Sequence, residues 1–461
     1  MRYVLCLIML FSSQIKAADD WGDEEKDGEK DFFSTIVVEK VPVKKKVVSP
    51  WSFGGFVEEE VVYSLRFDQD KLRHLRTSWE NTISRKLGEQ WKAVAQTYVR
   101  IDALYQWGNM DNYSSEEVDE FKHRFEFGEV YVDGSLNSNF SLKVGRQLVP
   151  WGMSDFFQIT DRVNPRNETE LGLIDLDESR LPVFATRFSY VDNWQFDLVW
   201  VYEKRSSRLA PNNGDYDYFA LFQEEGIAVN RRETSSAKSE EFFVNIKKNW
   251  KYGDTSFTAG QANEDLPYIS SASLQNTNLT MHTDYGSNSF AGASGSLIWQ
   301  RFVFKFEMNY ILNRQINRSD INAQLQNGTT VDNLILSEKH DTAAFMLGLD
   351  YTTGNEWHIT AEFMNERTLA YNQMLSVRKN FRVLSVLANK KWMNDKLGLT
   401  LFATHLFNED GDFLRVNIEY ELSKGLHIEI GGINYEVLNK DSVYRPYKDN
   451  DRVYSTLKYS Y

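Results

Sequence analysis

The sequence predicts an all-β fold, a single antiparallel transmembrane β-barrel of about eighteen strands, with sixteen as the alternative. Three observations predict it. Long segments alternate apolar and polar residues with period two, short turns alternate with long connections, and the last segment carries its apolar residues on every second position.

The alternation is clearest in three places. Phe302, Phe304, Phe306, Met308, Tyr310 and Leu312 share one face, with Lys305, Glu307 and Asn309 on the other. Over Ala93 to Gln106, Val99, Ile101, Ala103 and Tyr105 oppose Arg100, Asp102 and Gln106; further on, Leu414, Val416, Ile418 and Tyr420 oppose Arg415, Asn417, Glu419 and Glu421. A soluble sandwich also alternates, so strand length has to decide. The segments Phe53 to Phe67, Lys71 to Leu87, Phe121 to Asp133, Glu241 to Trp250, Thr342 to Tyr351 and Leu397 to Phe407 exceed the roughly 5 to 6 residues typical of soluble strands. They suit a tilted membrane strand. Gly88-Glu89, Asn249 to Gly253 and Thr353 to Asn355 read as tight turns, whereas 203–239, 264–286 and 313–340 read as long loops.

Composition agrees. The mean hydropathy is −0.49, and after Phe11 no apolar run is long enough to span a bilayer as a helix. Yet the chain holds 30 Phe, 23 Tyr and 12 Trp, many beside strand ends, where amphipathic rings suit a membrane interface. Apolar content is therefore spread over alternate positions rather than gathered in helices.

Three regions follow from the organisation of the chain. Residues 1–17 have the profile of an export signal, with Arg2, an apolar run from Val4 to Phe11 and a small-residue end at Ala17. The only cysteine, Cys6, lies inside it, which excludes disulfides and thiolate chemistry from the processed protein. Loss of Arg2 and Lys16 takes the formal net charge from −14 to −16, which argues against nucleic-acid binding. Residues 18–50, acidic from Asp19 to Asp31 and basic at Lys44 to Lys46, read as a flexible periplasmic tail, and 51–461 as the barrel.

The most distinctive local sequence is Gly145-Arg146-Gln147, then Trp151-Gly152, then Asn164-Pro165. On these residues the chain resembles a family of porin-like outer-membrane proteins that carries a domain-of-unknown-function label. It is more distantly similar to phosphate-selective and alginate-export porins. The resemblance is strongest over 125–202; it implies an outer-membrane barrel and leaves the solute open. Val453, Ser455, Leu457, Tyr459 and Tyr461 look like the signal that the barrel assembly machinery reads, with Tyr459 and Tyr461 as its aromatic end.

The residues after Leu148 have their own physical reading. Pro150 and Pro165 remove backbone donors, so a strand must end near Leu148 and a loop begin. It carries Asp155, Asp161, Arg166, Glu168, Glu170, Asp175, Asp177, Glu178 and Arg180 among Phe156, Phe157, Ile159, Leu171, Leu173 and Ile174. Such a mixture suits a loop folded into a lumen, apolar side to the wall and charges at a constriction. Arg100, Asp102, Glu129 and Arg187 are expected to line the same lumen. The seven histidines are scattered, and no zinc-binding pair or nucleophile elbow occurs, so neither an enzyme nor a cofactor or metal is expected.

The expected function is passive passage of small polar or charged solutes across an outer membrane, with lipid and lipopolysaccharide around the wall. The alternative is an outer-membrane scaffold or conduit of an export or surface complex, docking a periplasmic protein through the tail. A homotrimer is an open expectation.

Overall fold

The computed structural model describes residues 49–461 except 67–70, 109, 111–112, 158, 175–177, 221, 223–225, 232–238, 276–277, 408–410, 438 and 440–441. The expected signal at 1–17 and nearly all of the tail at 18–50 lie outside the described residues. Eighteen strands form one sheet. In chain order they are β1 (Trp51–Ser64), β2 (Leu72–Leu87), β3 (Trp91–Asp102), β4 (His123–Ser135), β5 (Phe140–Gln147), β6 (Val183–Val191), β7 (Gln195–Val201), β8 (Glu241–Trp250) and β9 (Gly253–Asn263). The second half is β10 (Ser287–Trp299), β11 (Phe302–Asn317), β12 (Ser337–Thr352), β13 (His358–Thr368), β14 (Asn380–Trp392), β15 (Leu397–Leu406), β16 (Gly411–Ser423), β17 (Leu426–Val437) and β18 (Arg452–Ser460).

Each strand runs antiparallel to its neighbours in sequence, and the first and last also pair, from Phe56 with Ser460 to Ser64 with Arg452. Gly55 and Tyr461 extend this seam by exchanging backbone hydrogen bonds of 3.3 and 3.1 Å. The sheet is thus a closed barrel of eighteen strands, not sixteen, and has no free edge.

The connections at the end where β1 starts and β18 finishes are all short, among them 88–90, 251–252, 300–301 and 424–425. The opposite end carries 103–122, 148–182, 202–240, 264–286 and 318–336. Trp51, Trp91, Trp194, Trp250, Trp299, Trp357 and Trp392 all sit at the turn end, where Trp357 meets Trp392 at 5.9 Å and Trp194 meets Trp250 at 6.5 Å. This is an aromatic girdle at one rim.

The wall follows the pleat. On β11, Met308 is 51% exposed on the outside while Glu307 is 1% exposed inside. Val453, Leu457, Tyr459 and Tyr461 face outward from β18 and its end, and the Tyr461 hydroxyl accepts a hydrogen bond from Trp79 Nε1 at 2.9 Å. Glu59 on β1 breaks the outward apolar pattern and accepts a hydrogen bond from Thr77 at 2.8 Å, so the two polar groups satisfy each other.

Several sequence expectations need correction. The strand expected over Ala93 to Gln106 stops at Asp102, because the Asp102 carboxylate accepts from Leu104 N and caps a helix, α1 (Ala103–Trp107). Phe121 belongs to a second helix, α2 (Ser115–Lys122), which Ser114 caps. The supposed loop 264–286 contains a hairpin of Tyr268–Gln275 and Asn278–Asp284, joined in parallel by Ala228–Asn230. β11 and β12 also reach further into 313–340 than the alternation indicated, since a register shift between Ile311 and Arg314 breaks the rhythm there. Phe219, Val229, Ile269, Met281, Leu336 and Ile321, the last on α3 (Ile321–Gln326), bind these loops into a small core of their own.

Candidate functional site

The segment 148–182 turns into the barrel, and the sequence motif that singled it out is the machinery that turns it. Asn164 is 1% exposed; its Oδ1 accepts from Val149 N at 2.7 Å, and its Nδ2 donates to the carbonyls of Gln147 at 3.2 Å and Leu181 at 3.0 Å. One amide therefore clasps the two ends of the segment, reinforced by Leu181 N donating to the Pro165 carbonyl at 2.7 Å. Gln147 donates to the Ala185 carbonyl at 2.8 Å, and Arg146 to those of Phe127 at 2.9 Å and Pro182 at 3.2 Å, which fixes the strand end beneath the clasp. Gly145 has φ +128°, and a Cβ there would come within 2.3 Å of the Val130 carbonyl oxygen. Gly152 has φ +104°, and its Cβ would stand 2.7 Å from Glu307 Oε1. Trp151 packs on the wall with Val149 and Val163 against Val183, Val199 and Phe243.

Beyond the clasp the segment is tethered to the wall by carboxylates. Glu307 of β11 accepts from the backbone nitrogens of Met153, Ser154 at 2.7 Å and Thr160 at 3.0 Å, and from the Thr160 hydroxyl at 2.9 Å. Glu362 of β13 accepts from the Ser154 hydroxyl at 2.6 Å and from Asp155 N at 3.0 Å. Lys305 balances this cluster, lying 2.6 Å from Asp155, 3.0 Å from Asp350 and 3.1 Å from Glu362.

Further along, the segment reaches a different part of the wall. Glu170 pairs with Arg76 and with His74 at 3.1 Å on β2, with Arg100 of β3 at 4.0 Å. Burial alone would raise the Glu170 carboxyl, but the charges of Arg76, His74 and Arg100 hold it well below the usual carboxylate range. The Tyr435 hydroxyl on β17 donates to the Leu171 carbonyl, and Gly172 abuts the ring of Phe413 on β16. The segment thus crosses the lumen between two parts of the wall.

The expected site residues sort as follows. Asp161 accepts from Trp151 N at 3.3 Å and pairs with Arg180 at 2.8 Å and Arg166 at 3.7 Å, all three bordering the interior cavity together with Asp155. Asp175 and Asp177 lie outside the described residues. Arg100, Asp102, Glu129 and Arg187 face inward from β3, β4 and β6 but do not line that cavity. Asp102 bonds His74 at 2.8 Å and Leu75 N at 3.2 Å, Glu129 bonds Lys143 at 3.3 Å and Leu148 N at 2.9 Å, and Arg187 pairs with Asp197 at 2.9 Å. Among the described residues no three His, Cys, Asp or Glu side chains are placed to hold a metal ion.

Between the segment and the wall of β11 to β16 lies a cavity of about 1170 Å³. Its segment side presents Asp155, Asp161, Arg162, Arg166, Glu168 and Arg180. Its wall side is less polar than strict alternation implies: Phe381, Val383 and Leu387 of β14 and Phe402 and Leu406 of β15 all face inward. Sequence reasoning missed these residues, although the nearly unbroken apolar runs around Val383 to Ala388 and Leu399 to Ala403 carried the signal.

With this geometry in place, residues 64–461 match the family described as protein of unknown function DUF1302. The chain belongs to that family. No curated protein sequence matches it. Among solved structures, Acinetobacter baumannii OccAB3 is similar with a TM-score of 0.51 at 10% identity, covering 89% of this chain and 99% of that one. Pseudomonas aeruginosa OccK8 (OprE) gives 0.51 at 8% identity, covering 89% and 97%, and A. baumannii OccAB4 gives 0.50 at 7%, covering 90% and 98%. These likenesses are of fold.

Two outcomes are expected from the tethers. Asn164→Ala leaves buried backbone groups unpaired at a cost of about 1–3 kcal/mol; the barrel should lose its resistance to heat at a lower temperature and become cleavable within 148–182, and unchanged values would show that the clasp is dispensable. Glu307→Ala should speed hydrogen exchange at Met153, Ser154 and Thr160 by about ten- to a hundredfold, the equivalent of about 1.4–3 kcal/mol of lost anchorage. Equal exchange rates would refute the tether.

Proposed function

We propose that the chain is an outer-membrane channel through which small polar or charged solutes pass down their gradients. One observation carries the reading: an inward-folded, charge-bearing segment leaves a cavity of about 1170 Å³ beside it inside a closed barrel. Eighteen strands make a barrel wide enough to keep an aqueous path. The outward apolar faces and the Trp girdle support a lipid setting, with the turn end toward the periplasm and the long loops outside. In this reading residues 1–17 direct export, 18–50 form a periplasmic tail, and Tyr459 and Tyr461 belong to the signal for the assembly machinery.

Asp155 and Asp161 border the path, each next to a cation, so they set its charge balance together with Lys305, Arg166 and Arg180. The purified protein in planar bilayers should show stepwise conductance, and Asp155→Asn and Asp161→Asn should each lower its preference for cations. A protein that inserts yet conducts nothing, or variants with unaltered selectivity, would contradict this.

Glu168 makes the path sensitive to pH. Burial, aided by the charge of Asp265, raises its carboxyl to about 7 against the opposing pull of Arg166. The carboxyl is neutral below that value and negative above it, so cation preference should rise between pH 6 and pH 8. Reversal potentials measured at both values test this, and Glu168→Gln should flatten the change; a pH response that survives the substitution would assign it elsewhere.

A further inference from the structure

Both sides of the cavity mix charged with apolar groups, and they are distributed differently. The segment side holds Asp161 between Arg166 and Arg180, with Phe156, Ile159 and Leu171 among the ions. The wall opposite carries two apolar cross-strand pairs on β14 and β15, Val383 with Leu406 and Leu387 with Phe402, the small polar pair of Ser385 and Thr404 lying between them and Phe413 of β16 beside Thr404. On β14 both faces are apolar, since Leu384 and Val386 occupy the outward positions between Val383 and Leu387. Lipid accounts for the outward pair only. An inward apolar strip in a watery path is unfavourable in proportion to its area, and a solute that covers it with hydrocarbon removes that cost. From the segment, Phe156 reaches across and stacks on Phe402 with ring centroids 4.9 Å apart, and Phe402 meets Phe413 edge-on at 5.9 Å. Ring therefore meets ring between segment and wall, a contact that an aromatic solute can replace in kind.

We propose that the path selects solutes that combine an apolar, ring-sized body with one charged or polar group, the body sliding along the β14–β15 strip while the polar group stays with the ions of the segment side. The proposal rests on the channel reading and narrows its solute class.

The test uses the full chain in planar bilayers and probes of permanent charge that do not cross lipid: benzenesulfonate against isethionate, and phenyltrimethylammonium against choline. The aromatic member of each pair should block the potassium chloride current at a concentration at least tenfold lower than its hydrophilic counterpart. Phe402→Ser should bring the two members of a pair within about threefold while the channel still conducts. Val383→Thr, which nearly preserves side-chain volume, should move block in the same direction and keep the test available if the Phe402 variant fails to assemble. Equal block by both members in a conducting wild-type channel would overturn the apolar path and leave the channel reading intact. Absence of any potassium chloride current would overturn the channel reading, and this inference with it.

Discussion

Every other feature of the molecule depends on the hydrogen bonds that join β1 to β18. A sheet that is apolar outside can present no unpaired backbone edge, and the register from Phe56 with Ser460 to Ser64 with Arg452 removes the last one. Closing so many strands also creates an interior too wide for wall side chains to fill. Something else has to occupy part of it. The segment 148–182 does so, and its entry next to β5 explains why the chain invests a positive-φ glycine, a fully buried glutamine and a clasping asparagine at that point.

Inside the barrel, specificity of position comes from carboxylates meeting backbone nitrogens. Glu307 and Glu362 are almost wholly buried, accepting four and two bonds from a segment whose described residues between 149 and 165 form no helix or strand. The backbone groups of such a segment would be costly to enclose without partners. The wall supplies those partners, so the segment is ordered by the strands it faces. The ion pairs of Asp161 and Glu170 add direction, drawing one stretch toward Arg166 and Arg180 and the next toward Arg76 and Arg100.

Much of this was legible in the sequence, because the pleat forces a period of two wherever one face of a strand differs from the other. β8 matched its expected limits, and the two faces of β11 were assigned correctly as far as Leu312. Legibility failed where a local interaction overrides the period. At Asp102 a side-chain cap starts a helix, at Arg314 a bulge shifts the parity, and in β9 the glycines, alanines and threonines make the alternation faint. The infolded segment was visible as a mixture of charge and apolar residues behind two prolines. Its partners were not, since Glu307 reads as an ordinary polar-face acid, and Glu362 goes unremarked, until their distances from Thr160 and Ser154 are known. The apolar strip on β14 and β15 was hidden by the assumption that an inward face is a polar one.

The reach of the infolded segment has a consequence for the order of events during biogenesis. Thr160 finds Glu307 across 147 positions of chain, Ser154 finds Glu362 across 208, and Leu171 meets Tyr435 across 264. Emerging early, the segment has most of its lasting neighbours still unmade. Contacts this distant in sequence are slow to form. Seating of the segment is therefore a late step, which waits on β11, β13 and β17 rather than on its own neighbours in the chain.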